Sequence, residues 1–223
     1  MVIKMARKEN ISSSVIKRLP RYYRFLGELK AQGIDRISSK ELAGKMRTTA
    51  SQVRQDFNCF GGFGQQGFGY NVDQLYEEIK QILGLNNKYK AILIGVGNLG
   101  RAVAAHMSFE ERGFELVGIF DKNPAIIGEE IRGIKVQSTD GIEEFCGKNF
   151  PKVAILCIPK TAVGDLSKRL YACGIRCYWN FSHYDLAVEY DDVVVQNVHM
   201  SDSLMILCYK ISDNDLSNHS LEA

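Results

Sequence analysis

Gly95-Val96-Gly97-Asn98-Leu99-Gly100 follows directly on the apolar run Ala91-Ile92-Leu93-Ile94, and the next apolar run, Leu116 to Phe120, closes on Asp121. A lone G-x-G-x-x-G carries little weight. Here it follows a strand-like run and opens a helical stretch from Leu99 to Met107, with an acidic residue 21 positions beyond its last glycine. Those are the parts of a dinucleotide-binding βαβ unit. Gly95 permits the tight turn, Gly97 lets the backbone approach a pyrophosphate, and Gly100 packs helix against strand. The helix N-terminus, with Val96, Asn98 and Leu99 in the loop before and at it, offers free N–H groups and a positive dipole end to the phosphates. Asp121 is placed to accept from the adenosine ribose hydroxyls and to repel a 2′-phosphate, which favours NAD(H) over NADP(H). Lys122 beside it weakens that preference slightly.

Outward from the fingerprint, β-rich runs alternate with helical stretches at 90–95, 115–120, 133–137, 152–158, 175–181 and 192–198. Alternation of this kind predicts an α/β fold: a Rossmann-like, doubly wound, mostly parallel sheet covered on both faces. Cys157-Ile158-Pro159 ends one buried strand and Asn180-Phe181-Ser182 ends the next, both at the carboxyl edge where ligands bind in such sheets. Cys157, Ile158, Pro159 and Asn180 are therefore candidates to flank a nicotinamide; ordinary strand-end turns give the same spacing.

The segment ahead of the fingerprint has a different character. Residues 1–60 hold 13 Lys+Arg against 5 Asp+Glu, and residues 61–223 hold 15 against 21, so the net charge of +2 hides a basic head on an acidic body. A polyanion partner for the head follows. Pro20 predicts a helix that starts or kinks there after a short Ser12–Leu19 turn or helix, running through Tyr23, Leu26 and Leu29 toward Gly33. Ser38-Ser39-Lys40-Glu41 matches a capping box ahead of Leu42, Ala43 and Met46, and Thr49-Ala50-Ser51-Gln52 matches a second. In the helix that follows, Ala50, Val53, Phe57 and Phe60 share one stripe. Ser51, Gln52, Arg54, Gln55 and Asn58 lie opposite, with Arg47, Thr48 and Thr49 in the preceding turn, and these are the predicted DNA contacts. Glycines alternating with aromatics from Gly61 to Tyr70 read as a hairpin, the wing of a winged helix, with Gln65 and Gln66 at its tip. The Lys-Ser/Thr of a phosphate-binding P-loop is missing. Asp73 to Gly84 resumes helical spacing, and Gly84 to Lys90 is the expected linker. The predicted organisation is a winged-helix domain over 1–84, a Rossmann domain with a C-terminal helix over 85–211, and a flexible tail over 212–223.

Other chemistry is sparse. The six cysteines form no C-x-x-C pair, and Cys157 and Cys208 lie in apolar runs that predict buried thiols. The four histidines have no metal-ligand spacing, so no metal is expected. Tyr76-x-x-x-Lys80 precedes the fingerprint, whereas in short-chain dehydrogenases that pair follows it. No catalytic acid–base set emerges and no enzyme is expected; an NAD-dependent oxidoreductase and a coenzyme A-binding protein are the alternatives. There is no signal-peptide layout and no apolar stretch approaching eighteen residues, so a cytoplasmic, reduced protein is expected. Asp202 to Ile211 is apolar nearly all round, which predicts burial against a partner subunit.

Taken with Arg18-Leu19-Pro20-x-Tyr22, Gln52-Val53-Arg54-Gln55-Asp56, Phe60-Gly61-Gly62-Phe63-Gly64-x-x-Gly67-x-Gly69-Tyr70, Gly95 to Gly100, Asn180-Phe181 and Asn197-Val198, the chain from about Ser12 to Ile211 closely resembles the Rex family of bacterial redox-sensing transcriptional repressors. The resemblance implies a homodimer with a domain-swapped C-terminal helix. It implies palindromic double-stranded operators of fermentation and respiration genes, held at low NADH and released when NADH binds, with NAD⁺ competing for the same site. Gln55 and Gln65-Gln66 depart from the family at positions where a basic residue is common, which should flatten the salt dependence of DNA binding. His106 stands where many relatives carry a tyrosine and His199 where many carry an aspartate. The resemblance places both in the nicotinamide-linked switch with Arg24. Two residues titratable near neutrality predict NADH-driven release that shifts with pH between roughly 6 and 8.

Overall fold

Ser12 accepts a hydrogen bond from the Val15 N–H and opens a single helix, α1 (Ser13–Ala31). The computed structural model describes residues 11–60, 64–65 and 68–219, in two compact units, Met1–Asn87 and Lys88–Ala223. Pro20, expected at a helix start or kink, lies inside α1 on its exposed side. Proline forfeits one main-chain hydrogen bond. The helix persists because Val15, Leu19, Tyr22, Leu26 and Leu29 bury one continuous stripe. It ends in a Schellman turn, with Gly33 N–H bonded to Lys30 O and Ile34 N–H to Leu29 O.

In the first unit, β1 (Arg36–Ile37) leads to α2 (Ser39–Met46), α3 (Ala50–Asn58), β2 (Gly64–Gln65), β3 (Gly69–Asn71) and α4 (Val72–Ile82). The capping box on α2 is complete: Ser38 N–H reaches Glu41 Oε2 at 2.8 Å and Glu41 N–H reaches Ser38 Oγ at 3.1 Å. The second box is only half formed. Thr49 Oγ1 accepts the Gln52 N–H at 3.1 Å, but the Gln52 side chain turns to Asp56 instead of the cap. β2 and β3 pair antiparallel with Gln65 opposite Gly69, as the wing reading requires, and Gln66 lies outside the described residues. β1 pairs on the other edge of β3, Ile37 opposite Tyr70. The core gathers Leu19, Tyr22, Leu26, Leu42, Met46, Val53, Phe57, Leu75 and Ile79. The unit closes past Gly84 because that turn bonds back onto α4, Leu85 N–H to Lys80 O at 3.1 Å.

The second unit runs β4 (Tyr89–Ile94), α5 (Asn98–His106), β5 (Phe114–Asp121), β6 (Glu130–Ile131), β7 (Ile134–Ser138), α6 (Ile142–Asn149), β8 (Val153–Leu156), α7 (Lys160–Ala172), β9 (Cys177–Asn180), α8 (Leu186–Glu189), β10 (Val194–Asn197) and α9 (Met200–His219). Its sheet has the order β10-β9-β8-β4-β5-β7-β6. All pairs are parallel except β6 with β7, whose two-residue partner is too short for periodicity to reveal. Separate buried clusters lie around Phe120, Leu156 and Leu170 and around Leu93, Phe109 and Ile119, one for each covered face. The chain winds outward from β4 through β5 to β7, then crosses back to β8. That reversal opens a crevice at the carboxyl ends of β4 and β8.

Helix α9 starts ahead of Asp202 and continues past Ile211 to His219; no glycine or proline interrupts it. Leu204, Met205, Ile206, Leu207, Tyr209 and Ile211 are each more than half exposed in the single chain. Cys208, expected to be buried, is exposed with them. No helix of the described residues is long and apolar enough to cross a membrane.

Candidate functional site

The reversal between β4 and β8 positions a cavity of about 590 Å³, bordered by Ile94, Gly95, Gly97, Asn98 and Leu99 after β4, by Asp121 and Lys122 after β5, and by Cys157, Ile158 and Pro159 after β8. That volume is in the range of small-molecule sites. Gly95 turns with φ +95°, and its N–H bonds Phe120 O at 2.8 Å. A Cβ on Gly95 would lie 2.5 Å from Cys157 O, and one on Gly100 only 1.7 Å from Gly95 O. Gly97 differs: a Cβ there meets nothing within 4 Å, and the residue borders the cavity. The three glycines thus differ: Gly95 turns at positive φ in close contact with Cys157, Gly100 is packed against Gly95 O, and Gly97 faces open space beside the cavity.

Gly97 caps α5 and Pro159 caps α7, neither through a side chain. Two helix N-termini without side-chain caps therefore border the cavity from either side of the crevice, with a dipole end suited to phosphate oxygens. Asp121 is more than a ribose acceptor. Its Oδ2 accepts the Val96 N–H at 2.6 Å and its Oδ1 accepts the Asn123 N–H at 2.8 Å, so the carboxylate also ties down the glycine loop. A carboxylate has about four acceptor sites, which leaves capacity for ligand hydroxyls. Burial pushes the Cys157 thiol up to about 12, so it borders the cavity as a neutral group.

Sequence spacing missed the remaining wall: Thr139, and Ala162, Asp165, Leu166 and Arg169 from α7. The α7 residues fall at helical offsets of three, four and seven, one face of the helix that follows Cys157-Ile158-Pro159; that was the available signal. Arg169 is paired with Glu143 through Nε at 2.5 Å and Nη2 at 2.8 Å, and donates to Thr139 O at 2.7 Å. The ion pair raises Arg169 and holds the Glu143 carboxyl below its usual range.

Other expected residues lie elsewhere. Val96 is buried beneath the loop and contributes its N–H, and Gly100 is packed behind it. Asn180 is fully buried and its amide is committed: it donates to Tyr184 O and Asn197 Oδ1 at 2.8 Å each, and accepts from Ser182 N–H and Oγ–H. It knits the ends of β9 and β10 together instead of presenting its side chain to the cavity. His106, exposed at the end of α5, borders a separate hollow with Arg101, Glu130 and Arg132. His199 stacks on His183 with ring centroids 4.8 Å apart and has Nδ1 3.6 Å from Asp202 Oδ2. Arg24 is exposed on α1 in the first unit.

In the first unit Ser51, Arg54, Gln55 and Asn58 are exposed on α3, Arg47 and Thr49 are exposed in the turn before it, and Thr48 is half-buried. Arg54 Nη1 donates to Ser39 Oγ at 3.2 Å. Arg47 takes the left-handed conformation at φ 49°, which turns the chain sharply between α2 and α3. Gln52 is half-buried and bonded to Asp56. Two helices, a three-residue turn and a hairpin are the parts of a winged helix-turn-helix.

A winged helix joined to a Rossmann sheet with an open nucleotide crevice defines a ligand-responsive DNA-binding regulator. Residues 10–58 match the family described as putative DNA-binding protein N-terminus, and residues 86–184 match the CoA binding domain family. The redox-sensing transcriptional repressor Rex of Thermoanaerobacter pseudethanolicus is 50% identical over 212 residues, 95% of this chain and 94% of that protein. The Rex of Clostridium perfringens is 49% identical, covering 95% of this chain and all of that one. Among solved structures, RSP in complex with β-NAD⁺ and operator DNA has a TM-score of 0.86 at 49% identity, covering 95% of this chain and 97% of that one. RSP with β-NADH has a TM-score of 0.85 at 47% identity, covering 95% and 99%. The chain belongs to the Rex family of redox-sensing transcriptional repressors.

Proposed function

We propose that this chain is a transcriptional repressor that reads the NADH/NAD⁺ balance, holding double-stranded operators when NADH is low and leaving them when NADH binds. One observation carries the reading: a recognition helix with an exposed polar face and a dinucleotide crevice occur in one chain, and its relative RSP binds both β-NAD⁺ with operator DNA and β-NADH. Reduced nicotinamide is neutral and oxidised nicotinamide is cationic, so the two ligands favour different closures of the crevice. A closure that alters the spacing of two recognition helices moves them off half-sites about one helical turn, or a multiple of it, apart. The ligand shifts that equilibrium only by its differential affinity, typically about 1–3 kcal/mol. The protein acts by binding and not by turnover, in the compartment that holds the DNA. Selection of duplexes from a random pool, with and without NADH, tests this. A palindrome enriched only without NADH is the expected outcome; enrichment in neither arm would overturn the reading.

The match to a CoA binding domain keeps coenzyme A as a second reading of the same crevice. Asp121 separates the two. Asp121→Ala removes a ribose acceptor and two main-chain hydrogen bonds; bonds to charged groups contribute about 1.5–3 kcal/mol each. NADH affinity is expected to fall roughly ten- to a hundred-fold. Loosening of the loop would weaken any ligand, so the telling quantity is the NADPH/NADH affinity ratio, which should rise once the carboxylate no longer repels a 2′-phosphate. An unchanged ratio, with coenzyme A displacing NADH at equal concentration, favours the second reading.

The dimer rests on α9. A row of large apolar side chains more than half exposed needs a partner surface to leave water. We infer that a second copy supplies it. Ile206→Asp with Leu207→Asp is expected to yield monomers in sedimentation, and to weaken palindrome binding about a hundred-fold or more as the second half-site contact is lost. A dimer that survives both substitutions would move the interface elsewhere.

A further inference from the structure

The recognition helix holds a buried carboxylate that the dinucleotide reading does not use. Asp56 is fully buried. Arg18 donates to it twice, Nε to Oδ2 at 2.7 Å and Nη2 to Oδ1 at 2.6 Å, and the Tyr22 hydroxyl donates to Oδ2 at 2.9 Å. Those three bonds already join α1 to α3. The fourth comes from Gln52 Nε2 to Oδ1 at 2.8 Å. Gln52 is half-buried in the first turn of α3, between exposed Ser51 and exposed Arg54 and Gln55. A recognition helix reads bases from that end. A glutamine at the surface ordinarily keeps its rotamer freedom and loses it on binding. Here the amide is held before DNA arrives.

The tie also fixes what the amide has left to offer. One of its two N–H groups is spent on Asp56, so one N–H and the carbonyl oxygen remain. One donor beside one acceptor complements the N7 acceptor and N6 amino donor of adenine in the major groove. Guanine presents two acceptors there and mismatches it. We propose that Gln52 reads one adenine in each half-site, and that Asp56 is the positioning residue that sets its amide. Arg18 and Tyr22 act one layer further back, holding Asp56. The proposal rests on the DNA-binding reading above.

Replacement of single adenines by 7-deazaadenine in the selected operator removes N7 and leaves pairing intact. With the full-length protein, one symmetric adenine per half-site is expected to lose about ten-fold in affinity on that replacement. In Gln52→Ala, which leaves the Arg18 and Tyr22 bonds to Asp56 in place, the natural operator is weakened by a similar factor and the replacement at that adenine has no further effect. In Asp56→Asn an amide stands where the carboxylate accepted. The N7 dependence should shrink while affinity for random duplex is retained, a separation that a merely structural role would not produce. If the wild-type protein binds a selected operator but shows no N7-dependent adenine, or if Gln52→Ala keeps that dependence in full, the proposal fails and the repressor reading stands. If no duplex is selected at all, the repressor reading fails and this one with it.

Discussion

Gly100→Ala is expected to abolish dinucleotide binding and to destabilise the second unit, while Gly97→Ala folds like the wild type and loses ligand only. The two glycines sit three residues apart in one motif, yet their surroundings are opposite. A Cβ on Gly100 would stand 1.7 Å from Gly95 O and 2.9 Å from Gly95 C, with Cys157 Cβ at 3.2 Å behind. The first two contacts are backbone atoms of the loop that turns at φ +95°, so no side-chain rotation relieves the overlap. Overpacking typically costs about 1–3 kcal/mol and occasionally more. An overlap with main chain places this change at about 3 kcal/mol or above. For a chain of this size that corresponds to a fall of roughly 6–12 °C in melting temperature. The relief available, displacement of the Gly95 loop, drags with it the Val96 N–H that Asp121 holds, so the phosphate cradle is lost as well. At Gly97 the methyl group projects into open space beside the cavity. Its melting temperature should stay close to wild type, since substitutions away from strain and packing fall within about 0.5 kcal/mol. NADH affinity should nonetheless drop, because the methyl occupies the volume a pyrophosphate needs. Thermal unfolding paired with NADH titration of both variants decides it. Equal melting temperatures for the two would show that the Gly95 loop yields freely.

The contrast between those glycines explains which parts of the molecule the sequence exposes. Gly95, Gly97 and Gly100 are legible because each role is local: turn, cap and helix–strand contact all occur within one βαβ unit. The six parallel strands are legible because each carries a short apolar or β-branched run, continuous where a strand such as β4 or β8 is buried on both faces. Arg169, Asp165 and Thr139 are not marked in this way. Asp165 and Arg169 reach the cavity only because β8 lies beside β4 in space, and their spacing on α7 looks like that of any amphipathic helix, while Thr139 arrives from the turn after β7. Pro20 does not start a helix, because the five buried residues of α1 outweigh one missing hydrogen bond. Asn180 is ambiguous by position. Its position at a strand end is shared by ligand groups and by side chains that close the sheet, and only the four hydrogen bonds tell them apart. Asp56 was visible as a residue but not as a buried one. It sits at the edge of the apolar stripe, three residues after Val53 and four before Phe60, and its partners Arg18 and Tyr22 lie on a different helix.

That buried carboxylate yields the second large effect: Arg18→Ala should destabilise the first unit at neutral pH and recover as the solution is acidified. In the wild type, burial alone would raise the Asp56 carboxyl. The bonds from Arg18, Gln52 and Tyr22 outweigh it and hold the group below its usual range. A carboxyl whose folded value is depressed adds stability above its unfolded value, about 3.9, and loses it as pH falls through the folded value. Between pH 5 and neutrality this contribution in the wild type is therefore full and flat. Arg18→Ala deletes the only cation of the cluster and leaves a carboxylate with 1% of its side chain exposed. Breaking a buried pair from one side typically costs about 3–5 kcal/mol. The Arg18 side chain is 34% exposed, and solvent screening of its end of the pair puts the expected loss at the lower figure, about 3 kcal/mol. With the guanidinium gone, burial becomes the dominant influence and the folded carboxyl value rises above the unfolded one. The sign of the linkage then reverses: stability is gained at acid pH and lost as pH rises through the raised value. The gap in urea midpoint between variant and wild type should thus be large at pH 7.5 and smaller at pH 5. Tyr22→Phe provides the comparison. It removes one hydrogen bond and leaves Arg18 in place, so it should cost about 1 kcal/mol with little pH dependence over the same range. A gap for Arg18→Ala that is constant with pH would mean that the carboxylate finds solvent or another donor once Arg18 is gone. The junction of α1 and α3 would then be held by Leu19, Tyr22, Val53 and Phe57 packing alone.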